Sequence, residues 1–156
     1  MVSIEELRKF VGKMDEPYFM EVEKGAIKRY AEAIGDTNPI YHDEEYARRS
    51  KHGTMICPPG FFGWPVKERP HVSGVRKELL EAIMEAGYRR PLDGGPAFEF
   101  YLPVRAGDTL AASEKVVDVY ERMGNAGKLV FAVTEITYIN QNGDRVANVR
   151  STVICV

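Results

Sequence analysis

From Ala97 onward the chain is a succession of strand-forming segments separated by turn residues, and this limits the fold more than anything else in the sequence. Ala97–Val104 is one candidate strand, with Pro103 near its end, where a missing N–H does least harm. Thr109–Tyr120 and Lys128–Asn140 are two long strands joined around Gly124-Asn-Ala-Gly127. Gln141-Asn-Gly-Asp144 carries the Asn-Gly pair of a tight hairpin and leads into Arg145–Val156. Strands this close in sequence pair antiparallel, because a parallel return needs a crossover of a dozen or more residues.

The first half has helical periodicity instead. Ile4, Leu7 and Val11 fall at three- and four-residue spacing within Val2–Val11, with Ser3 as the cap and Glu5 and Glu6 in the first turn. Pro17–Val22 reads as an early strand. Lys24–Ile34 is helical, with Ile27, Tyr30, Ala31 and Ile34 on one side and Gly35 as its stop. Asp43 caps a short helix over Glu44–Arg49. Val75–Ala86 is a further helix that ends at Gly87, and Pro91–Pro96 reads as a loop. Helices packed on one face of an antiparallel sheet make an α+β protein, and 156 residues fit a single domain, residues 1–156.

Composition excludes several functions. The formal net charge is −2 and the charges are dispersed, which argues against a nucleic-acid partner. No apolar run approaches the ~18–20 residues of a membrane span, and the first residues carry no secretory signal, so the expectation is a cytoplasmic protein with no membrane partner. Cys57 and Cys155 lie far apart without metal-ligand spacing and read as buried free thiols. His42, His52 and His71 form no metal pattern, and no glycine-rich phosphate loop is present, so no metal or cofactor is expected. His52 and His71 read as loop residues. Arg48-Arg49 with Lys51, and Arg89-Arg90, are ordinary solvated clusters or contacts to phosphate.

The densest polar cluster is Gly35-Asp-Thr-Asn-Pro-Ile-Tyr-His-Asp43. Its spacing alone fits either an Asx-turn connector between helices or an acid/base site, where a carboxylate and an imidazole converge on one water. The longer tract Tyr30–Asp43 resembles the signature of the R-specific enoyl-CoA hydratases and MaoC-like dehydratases. Cys57–Phe61 extends the resemblance to that family, and Leu92–Phe100, Pro103–Thr109 and the closing strands from Val116 to Ile154 resemble the branch related to the fatty-acid-synthase dehydratase domain. The resemblance implies a hotdog fold, a curved antiparallel sheet around a central helix that starts near Cys57–Phe61. It also implies an acyl-CoA or acyl-ACP substrate, with an Asp and a His five residues later activating a water.

Two departures matter. The fifth residue after Asp36 is Tyr41, and His42 comes one place later. One residue rotates a side chain by about 100° in helical geometry, so His42 is expected to point away from a water held by Asp36. A phenol is also a poor base near neutral pH. The resemblance places the backbone N–H that holds the thioester oxygen at Pro58 and Pro59, and proline has none. The chain therefore resembles the substrate-binding kind of subunit in heterodimeric 3-hydroxyacyl-thioester dehydratases, in which a second hotdog subunit supplies the catalytic pair. Candidate catalytic residues are Asp36 and His42, and Asn38 and Tyr41 order the site loop. Pro59, Gly60, Phe61, Phe62 and Trp64 are candidates to line an acyl pocket, because such pockets are mostly apolar and aromatic. The alternatives are a homodimeric hydratase that uses Asp36 with His42, and a non-catalytic acyl-binding or scaffolding protein.

Overall fold

A computed structural model describes residues 2–66, 74–125 and 127–156. In chain order it contains α1 (Ile4–Arg8), β1 (Tyr18–Glu21), α2 (Lys24–Ala33), a 3-10 turn (Pro39–Tyr41), α3 (Glu44–Arg49), β2 (Trp64–Pro65), α4 (Gly74–Glu85), β3 (Pro91–Phe100), β4 (Thr109–Gly124), β5 (Gly127–Ile139) and β6 (Arg145–Cys155). The six strands form one antiparallel sheet in the order β2-β1-β4-β5-β6-β3. The long strands lie where the sequence places them, and β1 is the expected early strand. The curled sheet with helices against it is a hotdog fold of the α+β class. Among the described residues, no helix is long and apolar enough to cross a membrane.

The period-2 pattern of β4 sets the inner face. Leu110, Ala112, Glu114 and Val116 alternate as buried residues, and the register shifts between Val116 and Asp118 before Val119 returns to the core. At one end, α2 buries Ala26, Ile27 and Ala31 against Leu110, Ala112, Tyr138 and Ala147. At the other, α1 contributes Leu7, and α4 contributes Val75, Leu79 and Ile83 against Val116, Val119 and Val130. Local chemistry fixes each helix. Ser3 and Glu6 form a reciprocal capping box on α1, and Asp43 accepts from the amides of Glu45 and Tyr46 to cap α3. Asp15 on the sheet side accepts from the Val75 amide at 2.9 Å, and Arg76 pairs with buried Glu114 at 3.6 Å, so the start of α4 is tied to the sheet.

Two expectations are corrected. Pro91–Pro96 is not a loop but the first half of β3, whose register shifts between Asp93 and Pro96. This is an edge strand, where proline is tolerated, and Gly95 (φ +85°) with Gly94 absorbs the irregularity as a bulge. The strand accordingly ends at Phe100 rather than Val104. The second correction concerns the central helix, which does not start at Cys57–Phe61. That stretch is a turn, with Phe61 N–H donating to the Pro58 carbonyl at 3.1 Å. Gly60 at φ +91° and Gly63 at φ +87° cannot continue a right-handed helix, and Pro58 and Pro59 bring no N–H to it. The helices packed against the long strands are α2 at one end and α1 with α4 at the other. His71 lies outside the described residues.

Gly63 also lets the chain touch β1, because a Cβ there would sit 2.3 Å from the Glu21 carbonyl oxygen. Gly63→Ala should therefore destabilise the fold well beyond the ~1–2 kcal/mol of left-handed backbone strain alone. Gly53→Ala, at φ +69° with open space around it, should cost only that strain. Urea midpoints of the two variants check the difference.

Candidate functional site

The polar tract folds as two linked Asx turns. The carboxylate of Asp36 accepts from the Asn38 amide at 2.9 Å, and the Asn38 side chain accepts from the Ile40 amide at 3.1 Å. Pro39 occupies the first position of the 3-10 turn, where its missing N–H costs nothing. That turn drives Ile40 and Tyr41 inward, and both are buried. His42 leaves the turn in a different direction. Its Nε2 lies 2.6 Å from the backbone carbonyl oxygen of Asp36. A carbonyl only accepts, so Nε2 carries the proton and the ring is tied back over its own loop.

Tyr41 faces a cavity of about 360 Å³ lined by Tyr41, Ile56, Cys57, Pro58, Pro59, Phe61, Phe62 and the run Phe100–Val104. The volume falls in the range of small-molecule sites. Aromatic packing builds one wall. Phe62 stacks on Tyr138 with centroids 4.1 Å apart, and Phe98 and Phe100 lie 6.4 and 6.3 Å from it. Phe61 stacks on Tyr30 at 4.7 Å. The cavity therefore sits where the loop 58–63, rather than a helix, covers the inner sheet face.

Of the candidate pocket residues, Pro59, Phe61 and Phe62 line the cavity, while Gly60 and Trp64 do not. Gly60 instead brings the turn close to Tyr30 and Phe98. Trp64 lies on β2, largely exposed, and meets Phe61 edge to face at 5.8 Å. Asp36 and His42 are absent from the lining, and of the polar tract only Tyr41 reaches it. Sequence reasoning missed Ile56, Cys57 and the Phe100–Val104 wall. The available signal was the run Phe100-Tyr-Leu, three large apolar residues in a row where a strand should alternate.

Burial, first, and the neighbouring Asp36 carboxylate, next, push the Tyr41 phenol up from its ordinary value, with Cys57 adding to this. Burial and then Asp108 push the Cys57 thiol up to about 12. Both groups are therefore neutral near pH 7, and neither is a nucleophile or base there. Among the described residues, no group of three or more His, Cys, Asp or Glu could hold a metal ion.

The FAS1-like dehydratase domain region matches residues 9–149. The chain belongs to that family. It is the branch of the MaoC-like hydratases and dehydratases that the Leu92–Phe100 and Pro103–Thr109 blocks resemble. A probable enoyl-CoA hydratase alpha subunit of Thermomonospora curvata is 32% identical over 133 residues, covering 80% of this chain. The match spans only 41% of that relative's length. A UPF0336 protein of Streptomyces griseus subsp. griseus is 36% identical over 117 residues, covering 74% of this chain and 75% of its own. Among solved structures, the ChsH1-ChsH2 complex from Mycobacterium tuberculosis superposes with a TM-score of 0.78 at 21% identity, covering 97% of this chain and 92% of that one. At that identity the superposition bears on the fold.

The raised thiol gives a pH signature. A folded-state pKa above the unfolded value contributes stability that is complete below the unfolded pKa and lost as pH rises through the folded one. For Cys57 the window runs from 9.0 to about 12, and the raised Tyr41 adds to it from 10.0 upward. Unfolding free energy measured in urea should be level from neutral pH to about pH 9 and then fall towards pH 12. Cys57→Ala should make the fall shallower.

Proposed function

We propose that this chain is the acyl-binding hotdog subunit of a hydratase or dehydratase acting on acyl-CoA or acyl-ACP, and that a second hotdog subunit supplies the Asp and His that carry the chemistry. One observation carries this reading. The tract that holds the catalytic pair in the family presents only a neutral phenol to the cavity, while His42 is hydrogen-bonded to the Asp36 carbonyl. Hydration across an α,β bond needs a base on the water and donors on the thioester oxygen. Here Pro58 and Pro59 have no N–H, and the Phe61 N–H is already given to Pro58. The apolar lining still suits an acyl chain.

The need for a partner is supported by the edge. Among the described residues, β3 pairs only with β6, and its other side is open. Phe98, Phe100, Tyr101 and Leu102 are exposed along or just beyond it, an apolar strip of the kind that interfaces cover. A homodimeric hydratase built on Asp36 and His42 would first have to free the imidazole from the Asp36 carbonyl.

The chain alone should hydrate crotonyl-CoA at a negligible rate, since each missing group costs about 100-fold or more. The complex with an Asp/His-bearing hotdog partner should be active and should contain at least two hotdog folds by native mass. Within it, Asp36→Ala should leave turnover close to wild type. Activity of the isolated chain that disappears in His42→Ala would establish the homodimeric reading. A complex that binds acyl-CoA without turnover would establish a scaffold.

A further inference from the structure

We propose that Tyr41 sets ligand choice in the cavity, its hydroxyl donating a hydrogen bond to a neutral carbonyl or hydroxyl oxygen on an otherwise apolar ligand. This deepens the acyl-binding reading and rests on it.

Three observations carry the inference. The Tyr41 side chain is almost fully enclosed, with 7% relative exposure, yet it lines the cavity. Its hydroxyl has no hydrogen-bond partner among the described residues. The oxygen is not sealed from solvent but opens on the cavity, so it is free to exchange water for a ligand oxygen, a trade worth about 0.5–1.5 kcal/mol.

The second observation is what surrounds it. Among the described residues, no charged side chain lines the cavity. Tyr101, the other phenol in the lining, is held up from its ordinary value chiefly by the Glu99 carboxylate, so it too stays neutral. The Cys57 thiol is the remaining polar side chain, and burial keeps it protonated. With no Lys or Arg among the described residues of the wall, an anionic group would meet no counter-charge from them, and that is costly at low dielectric. A neutral oxygen is accepted.

The third is the protonation state. Burial and the Asp36 carboxylate both oppose ionisation of Tyr41, so its hydroxyl keeps its proton. The same carboxylate makes this end of the cavity unfavourable for a second negative charge.

Isothermal titration of the full chain and of Tyr41→Phe with two pairs of probes tests the proposal. Octanoyl-CoA against the S-octyl-CoA thioether isolates the thioester carbonyl, and 3-hydroxyoctanoyl-CoA against octanoyl-CoA isolates an oxygen on the acyl chain. Wild type should prefer the oxygen-bearing member of one pair by about five- to tenfold, the size of one neutral hydrogen bond. Tyr41→Phe should erase that preference and leave unchanged the affinity for the pair's other member, which lacks the tested oxygen. That unchanged affinity also shows that the variant is folded. A preference that survives in Tyr41→Phe, or equal binding within both pairs by wild type, overturns the role of Tyr41 and leaves the acyl-binding reading intact. Failure of every acyl-CoA and of the thioether to bind would overturn both.

Discussion

The curled sheet must have its apolar inner face covered, and the rest of the molecule follows from how that is done. α2 covers one end, and α1 with α4 covers the other. Between them the chain brings a proline-glycine turn and then Phe62, whose ring lies flat on Tyr138 at 4.1 Å. An aromatic ring in van der Waals contact with the sheet buries the area that a turn of helix would bury, with far less backbone. It also leaves space beside it. The cavity is that space, floored by Phe62 and closed by the chain that runs from Phe100 to Val104.

The same turn explains why the site is apolar. A helix start would aim several free N–H groups into the cavity and favour negative charge there. Pro58 and Pro59 have no N–H, and the Phe61 N–H closes the turn onto Pro58. The loss of donors and the loss of a helix are thus one event in the sequence. The polar tract obeys a parallel logic. Two Asx turns and Pro39 rigidly define which of two adjacent side chains points inward, and that residue is the tyrosine.

Much of this was legible in the sequence because local rules act alone there. The long strands, the Ser3 and Asp43 caps and the Gly87 stop depend on residues within a few positions of each other. The one-residue offset of His42 is visible in the sequence as spacing, whereas its bond to the Asp36 carbonyl depends on the two Asx turns. What escaped was decided by distant contact. Pro91–Pro96 has the composition of a loop, yet β6 is there to pair with it, and an edge position tolerates its prolines. The helix expected at Cys57–Phe61 failed against two positive-φ glycines, one of which lies against the Glu21 carbonyl of β1. No periodicity within residues 57–66 could reveal that neighbour. Val104 and Cys57 meet through a backbone bond at 2.8 Å, so the cavity wall too is a long-range product.

The position of the cavity connects binding to assembly. Phe100, Tyr101 and Leu102 belong both to the cavity wall and to the exposed strip at the end of β3. A surface that covered the strip would also remove water from the mouth of the cavity, and every polar interaction inside would strengthen as the local dielectric fell. A single neutral donor such as the Tyr41 hydroxyl is worth little in a wet groove and more in a sealed one. The Tyr41 phenol, the apolar wall and the strand edge thus meet at one place, and covering the strip would at the same time close the cavity.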